Sequence, residues 1–273
     1  MISAADRFER CLSDVSYWMF ANRLKLNADE TELLWAGSKH TSAVLGSKSP
    51  PLCLGDETVS QSDHIWVIGV TFSSDLSLDK HVSSVTAKCF YSLRQLRRVQ
   101  RSLAIDSLKT LVHAFIMSLV DYYSNIVLAG SSQYITDMLQ RVLNAAACLI
   151  SGTQKFNHGL SRLLRDELQR LSVPERAPYK LAVTVYRCLQ EKAPKYLFNH
   201  CTPVSDVASR WHLRSASRHF LTVPRFWRSR FGRRAFTVGD PMAWNSLLNN
   251  LRDPPLCISS FRRRLKTELF TRY

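Results

Sequence analysis

Residues 80–101 read KHVSSVTAKCFYSLRQLRRVQR. Val82, Val85, Cys89, Leu93 and Leu96 advance by three or four, which predicts one helix with a single apolar stripe. Lys88, Arg94, Arg97, Arg98 and Arg101 fall largely off that stripe, so the solvent side of this helix is cationic. A helix apolar on one side needs helical neighbours to cover it, and the sequence downstream supplies them. Leu108, Leu111, Val112, Phe115 and Leu119 form a second helical face, with Asp106 placed to cap it. Gly130-Ser131-Ser132 breaks that pattern. Leu139, Val142, Leu143, Ala146, Ala147 and Ile150 then define a third helix, closed by Ser151-Gly152. A fourth helical segment, 159–171, and a fifth that starts at Pro174 and carries Leu181, Val185 and Leu189 complete a small bundle.

Upstream the periodicity changes. Residues 5–21 predict a helix through Phe8, Cys11, Leu12, Val15, Trp18 and Met19. Leu24 and Leu26 alternate with Lys25 before a polar turn and a second apolar run, Leu33-Leu34-Trp35, a pattern that predicts a hairpin over 23–36. A loop rich in Ser, Gly and Pro (GSKHTSAVLGSKSPP, 37–51) precedes a further predicted strand, HIWVIGVTF (64–72). The fold class expected is therefore mainly α with a small antiparallel β element (α+β).

Downstream of about residue 200 the helical period fades. Residues 207–234 hold eight arginines (Arg210, Arg214, Arg218, Arg225, Arg228, Arg230, Arg233, Arg234) and no Asp or Glu, with Trp211, Phe220, Phe226, Trp227 and Phe231 between them. The end of the chain reads as a short helix, a Pro-Pro break and a final basic amphipathic helix. Three parts follow from these changes of texture: 1–75, 76–200 and a basic 201–273.

Charge divides along the same line. Residues 1–75 carry 6 Lys/Arg against 10 Asp/Glu, a net of −4; residues 76–273 carry 31 against 12, a net of +19; together these restore the +15 of the 273-residue chain. An excess of this size favours a polyanionic partner, nucleic acid first. Arginine brings a planar guanidinium for phosphates, and interleaved aromatics stack on unpaired bases. The binding set expected is Arg94, Arg97, Arg98 and Arg101 on the helix, with the eight arginines of 207–234 and Trp227. In the alternative, the aromatics form a small core inside a solvated arginine shell.

Catalytic constellations are missing from the sequence. It holds no GxxxxGK[ST], GxGxxG, HExxH or GxSxG pattern. His200-Cys201 with His212 and His219 matches no zinc spacing, so these read as polar loop residues. Two-metal polymerases need paired carboxylates, and the chain has no Asp-Asp pair. Neither a metal nor another cofactor is expected. Seven cysteines, scattered and odd in number, predict a reducing compartment, with Cys89, Cys148 and Cys188 as small hydrophobes inside helices. Met1 is followed by acidic and polar residues, and no apolar run reaches the roughly 20 residues of a spanning helix. The expectation is an intracellular, soluble protein, nuclear or cytoplasmic, with no membrane partner. Nothing in the sequence sets an oligomeric state.

Several long segments, in this order, resemble the reverse transcriptase of LINE-type (non-LTR) retrotransposons: WMFANRLKLNADETELLWAG (18–37), IWVIGVTFSSDLSLDKHVSSV (65–85), YSLRQLRRVQRSL (91–103) and LVHAFIMSLVDYYSNIVLAG (111–130). LQRVLNAAACLISGTQKF (139–156), LSVPERAPYKLAVTVYRCL (171–189) and GRRAFTVGDPMAWNSL (232–247) continue it. The resemblance implies that 1–75 is the C-terminal remnant of a palm, with 64–72 the strand that grips the primer (Ile68, Gly69, Val70 at its centre). It implies further that 76–200 is a helical thumb closing on RNA, DNA or an RNA–DNA hybrid, and that 201–273 is the element's basic tail. The family's Asp-Asp motif, and the Mg2+ it would hold in the whole polymerase, have no counterpart here. Asp29-Glu30-Thr31-Glu32 stands where the family usually reads Asp-Lys-Thr-Glu, a charge reversal near the triphosphate position, and Trp66 stands where it tends to carry Arg. The function implied is the C-terminal portion of an RNA-directed DNA polymerase, inactive alone and a salt-dependent nucleic-acid binder. The alternative is a reused helical scaffold for protein partners.

Overall fold

The computed structural model describes residues 4–27, 29–37, 51–54, 57–123, 128, 130–153, 171–209, 212, 214–227, 232–233, 235–252 and 256–271. The chain is mainly helical with two small antiparallel sheets, and it groups into two compact units, 1–83 and 84–273. The first boundary thus lies inside a helix, eight residues past the 75/76 change of texture, and no second division falls near residue 200.

In the first unit, α1 (Ala4–Ala21) forms as its spacing predicts. Its stripe stays mostly uncovered: Phe8, Val15 and Trp18 are exposed, and only Leu12 joins the small core of Leu33, Leu52 and Val59, beside Trp35. The hairpin predicted over 23–36 does not form among the described residues. Leu33 instead makes one parallel bridge to Gln61, accepting the Ser62 N–H at 2.8 Å. Two isolated arms are marginal in water, and here the apolar residues of the second arm pack on another hairpin. That hairpin, β1 (Leu52–Leu54) with β2 (Glu57–Val59), follows the stretch read as loop and gave no signal in the sequence.

The strand predicted over 64–72 is two strands. β3 (His64–Val67) and β4 (Val70–Ser73) pair antiparallel, Val67 opposite Val70, around a two-residue turn at Ile68-Gly69. Both turn residues have positive φ, 47° and 80°, as a primed hairpin turn requires. Glycine takes that conformation freely; isoleucine does so at a cost. The residues placed at the centre of a primer-grip strand are therefore its reversal point.

α2 (Asp79–Val99) runs as expected into a 3₁₀ turn, Gln100–Ser102. Val82, Val85, Cys89, Leu93 and Leu96 are all buried. α3 (Ile105–Val112) starts at an Ala104 N-cap; Asp106 sits in its first turn, paired with Lys109 at 3.5 Å, and does not cap it. A π-turn, His113–Met117, joins α3 to α4 (Ser118–Tyr123). The π-turn's extra residue rotates the face, so burial passes from Leu108 and Val112 to Ile116, Met117 and Val120, while Phe115 turns outward. α5 (Gln133–Ser151) ends at Gly152 in the left-handed region, φ 68°, as Ser151-Gly152 indicated. The segment 159–171 falls, but for Leu171, outside the described residues.

α6 (Val173–Leu189) opens with a capping box in which Ser172 and Glu175 satisfy each other's backbone N–H. Arg176, almost fully buried, donates to Asp121 at 2.5 Å and to the Leu171 carbonyl at 3.0 Å, tying α4 to α6. Val173 N–H donates to Gln140 Oε1 and Gln100 Nε2 to the Leu149 carbonyl, fastening α5 to α6 and to the end of α2. Beyond residue 200 the chain returns to α6. After the short α7 (Lys195–Phe198) come α8 (Arg214–Ser217), α9 (Phe236–Asn245) and α10 (Ile258–Thr271), the last an amphipathic helix that buries Phe261, Leu265 and Leu269. Ala182, Val185 and Cys188 of α6 share one core with Trp244, Leu251, Phe261 and Leu265. Among the described residues no helix is long and apolar enough to cross a membrane.

Candidate nucleic-acid interface

The α2 surface follows from its period. With the stripe buried, Tyr91, Arg94 and Arg98 fall at i, i+3 and i+7 on the opposite side, and Arg101 follows in the 3₁₀ turn; all are exposed, with Lys88 and Arg97 on the flanks. Among the described residues no carboxylate pairs with any of these arginines. Unneutralised guanidiniums beside an exposed tyrosine ring offer phosphate contacts and a stacking surface together.

The arginine-aromatic stretch divides by role. Arg218, Arg225 and Arg233 are exposed, and Trp227 is exposed completely. Arg214 lies in α8. Arg210, Arg228, Arg230 and Arg234, with Trp211 and Phe231, lie outside the described residues. Phe220 is half-buried, with the Arg252 guanidinium 4.2 Å from the centre of its ring, so one aromatic of the stretch is engaged by a structural arginine.

Arg252 was not legible as important, and it holds this region together. It is buried; Nε donates to the Arg218 carbonyl at 3.0 Å, Nη1 to the Asn245 and Leu247 carbonyls, and Nη2 to Asn249 Oδ1. Burial and the nearby Arg218 charge lower its pKa from the ordinary value. The Asn245 amide clamps Leu221 from both sides, accepting its N–H at 2.8 Å and donating to its carbonyl at 2.9 Å. Trp244 Nε1 donates to the His219 carbonyl at 2.9 Å. The only trace of this in the sequence is Trp244-Asn245 within a segment used for the family resemblance.

Buried titratable groups lie in the same core. Asp240 is fully buried, neither carboxylate oxygen has a hydrogen-bond partner among the described residues, and burial pushes its pKa up to about 8. Cys188 and Cys201 are buried near it, their thiols raised chiefly by desolvation. His200, His212 and His219 face solvent, and no group of three or more metal-ligating side chains occurs among the described residues. Cys89, Cys148 and Cys188 are buried within helices as their spacing predicts.

In the first unit Ile68 and Trp66 are exposed at the β3–β4 hairpin, and Val70 is half-buried beside Gly69. Thr71 N–H donates to His81 Nδ1 at 3.3 Å, fixing the hairpin to the start of α2. Glu32 Oε2 accepts the Trp66 N–H at 3.1 Å, so the last carboxylate of Asp29-Glu30-Thr31-Glu32 covers part of an open strand edge. Comparison of the chain with family models, with curated proteins and with solved structures finds no match.

Proposed function

We propose that this chain is a nucleic-acid-binding module corresponding to the end of the palm, the thumb and the tail of a LINE-type reverse transcriptase, with no polymerase activity of its own. The observation that carries the reading is the exposed row of Arg94, Arg98 and Arg101 beside Tyr91, along α2 and the turn that ends it, with which no carboxylate among the described residues pairs. Arg218, Arg225, Arg233 and Trp227 extend the same chemistry within the same unit. The ligand class is RNA, DNA or their hybrid, held through phosphates and stacked bases. Catalysis needs carboxylates that hold two metals, and the chain carries no adjacent aspartates to do so.

The test is fluorescence anisotropy of a labelled single strand and of a labelled RNA–DNA hybrid over about 50 to 200 mM salt. Affinity falls steeply with salt as phosphate neutralisation releases counterions, and replacing Arg94, Arg98 and Arg101 together by Gln reduces the log–log slope by about 2 to 3. Binding indifferent to salt, or a slope unchanged in the triple variant, overturns the reading. Primer extension by the purified chain gives no product.

A second reading is favoured by a different observation. Tyr17, Trp18 and Phe20 at the end of α1 are each more than half exposed, at 79%, 61% and 81%. Large apolar groups crowded on one helix end mark a surface that another protein covers. In that reading the chain is an interaction scaffold, and a partner retained after nuclease treatment distinguishes it.

A further inference from the structure

Between the C-terminal end of α6, the segment 203–205, the strand-like segment 219–221 and α9 lies a cavity of about 200 Å3. Leu189, Leu221 and Trp244 form its apolar walls. Its volume is below the roughly 300–1,000 Å3 of sites for drug-sized ligands, so it admits one ring system and no chain of nucleotides.

The polar groups around it keep some hydrogen-bonding capacity. Four of the five guanidinium N–H bonds of Arg252, a residue that lines the cavity, are used in the clamp described above, which leaves one uncommitted among the described residues. Ser205 donates its hydroxyl to Asp206 at 3.0 Å and keeps its acceptor lone pairs. The Gln190 amide and the His219 imidazole complete the rim, both on exposed residues, and no carboxylate lines the cavity among the described residues. Donors and acceptors set at the rim of a small apolar cavity are what the hydrogen-bonding edge of a nucleobase requires.

A second observation is independent of the cavity. His219 has φ 55°, a left-handed conformation that non-glycine residues adopt at a cost. It is held there from both sides, through its own carbonyl by Trp244 and through the Arg218 carbonyl by Arg252. Strain fixed in this way aims a side chain, and here it belongs to the rim. The exposed Arg218 stands next to it in sequence and supplies a cation of the kind that meets a phosphate.

We propose that this cavity is a subsite for one unpaired nucleobase of a bound strand, walled by Leu189, Leu221 and Trp244 and read by Gln190, Ser205, His219 and Arg252. The proposal rests on the nucleic-acid reading above and makes it specific: unpaired strand is preferred to duplex, through a slot that paired bases cannot enter.

The experiment uses the whole chain and a single-stranded oligonucleotide carrying one 2-aminopurine, with a fully paired duplex and free adenosine 5′-monophosphate as comparators. The expected result is a change in 2-aminopurine fluorescence on binding, single-strand affinity reduced about tenfold by Ser205→Phe, which fills the slot from its exposed rim, and duplex affinity within twofold of the parent. Gln190→Ala, at an exposed position, lowers single-strand affinity in the same direction, and circular-dichroism melting confirms that both variants fold. Equal loss for single strand and duplex, or no loss in either variant, overturns the subsite and leaves the nucleic-acid reading standing. Binding of free nucleotide as tight as that of the oligonucleotide overturns it in favour of a small-molecule site. Absence of any oligonucleotide binding overturns the reading itself, and the subsite with it.

Discussion

At the scale of single residues, the charges that matter most are those without an exposed role. Asp240 is buried with no hydrogen-bond partner among the described residues, and burial pushes its carboxyl up to about 8 from an ordinary value of 3.8. Between those values the folded state holds a proton that the unfolded state has released, so stability falls as pH rises from about 4 to about 8 and then levels. The slope is at most about 1.4 kcal/mol per pH unit. Asp240→Asn abolishes that fall and leaves the variant more stable than the parent above pH 8; urea melts at pH 5, 7 and 9 check it, with Cys188 and Cys201, the thiols near Asp240, replaced by Ala in parallel. Cys257 is the opposite case. Exposed ahead of α10, its thiol donates to the Ser260 hydroxyl at 3.1 Å and shares a hydrogen bond with the Ser259 hydroxyl at 3.2 Å, and these two neighbours lower its pKa to about 6. Its alkylation by iodoacetamide rises through a midpoint near pH 6, and the midpoint climbs when Ser259 and Ser260 are both replaced by Ala; peptide mass spectrometry across pH reads both.

At the scale of elements, turns and clamps decide what periodicity does not. The β3–β4 hairpin places Ile68 at φ 47°, where a β-branched residue is strained by roughly 1 kcal/mol or more. Ile68→Asn creates an Asn-Gly turn suited to that geometry and raises stability by about 1 kcal/mol, seen as a higher Tm. Arg252→Met is expected to do the reverse. It removes the donors that satisfy the Arg218, Asn245 and Leu247 carbonyls, and the cost is about 2 to 4 kcal/mol, because buried acceptors lose both protein and water partners. A thermal melt measures the loss. Urea m-values then show whether segment 218–222 has detached. An arginine in a basic tail is ordinarily assigned to nucleic acid; here one of them is a structural fastener.

At the scale of the whole molecule, the acidic-to-basic change and the division into compact units nearly coincide. The helical unit carries the arginine face of α2, the arginine-aromatic stretch and the base-sized cavity. A fragment of residues 76–273, which keeps α2 entire, therefore retains the salt slope of the full chain within about one unit; anisotropy titrations of the two side by side test this. A fragment that ends at residue 200 loses Trp244, Leu251, Phe261 and Leu265 from the core they share with α6. The tail is built into the helical unit, although its sequence reads as a separate appendage.

What the sequence determined by itself is the part that repeats. The α2 stripe, the buried face of α5 and its Ser151-Gly152 ending, the Pro174 start of α6 and the amphipathic final helix were all legible, because helix periodicity and caps are local. The exposed arginines of α2 followed directly, since residues off an apolar stripe face solvent. Tertiary structure alone decided the rest. The 23–36 hairpin failed because Leu33 found a partner far along the chain, and the 64–72 strand folded on itself at two residues with positive φ. Arg252, Asn245 and Trp244 converge on segment 218–222, and Asp240 is buried near Cys188 and Cys201, from positions 24 to 52 residues apart. No period or spacing encodes such meetings: they are set by which buried polar groups find partners once the helices have packed.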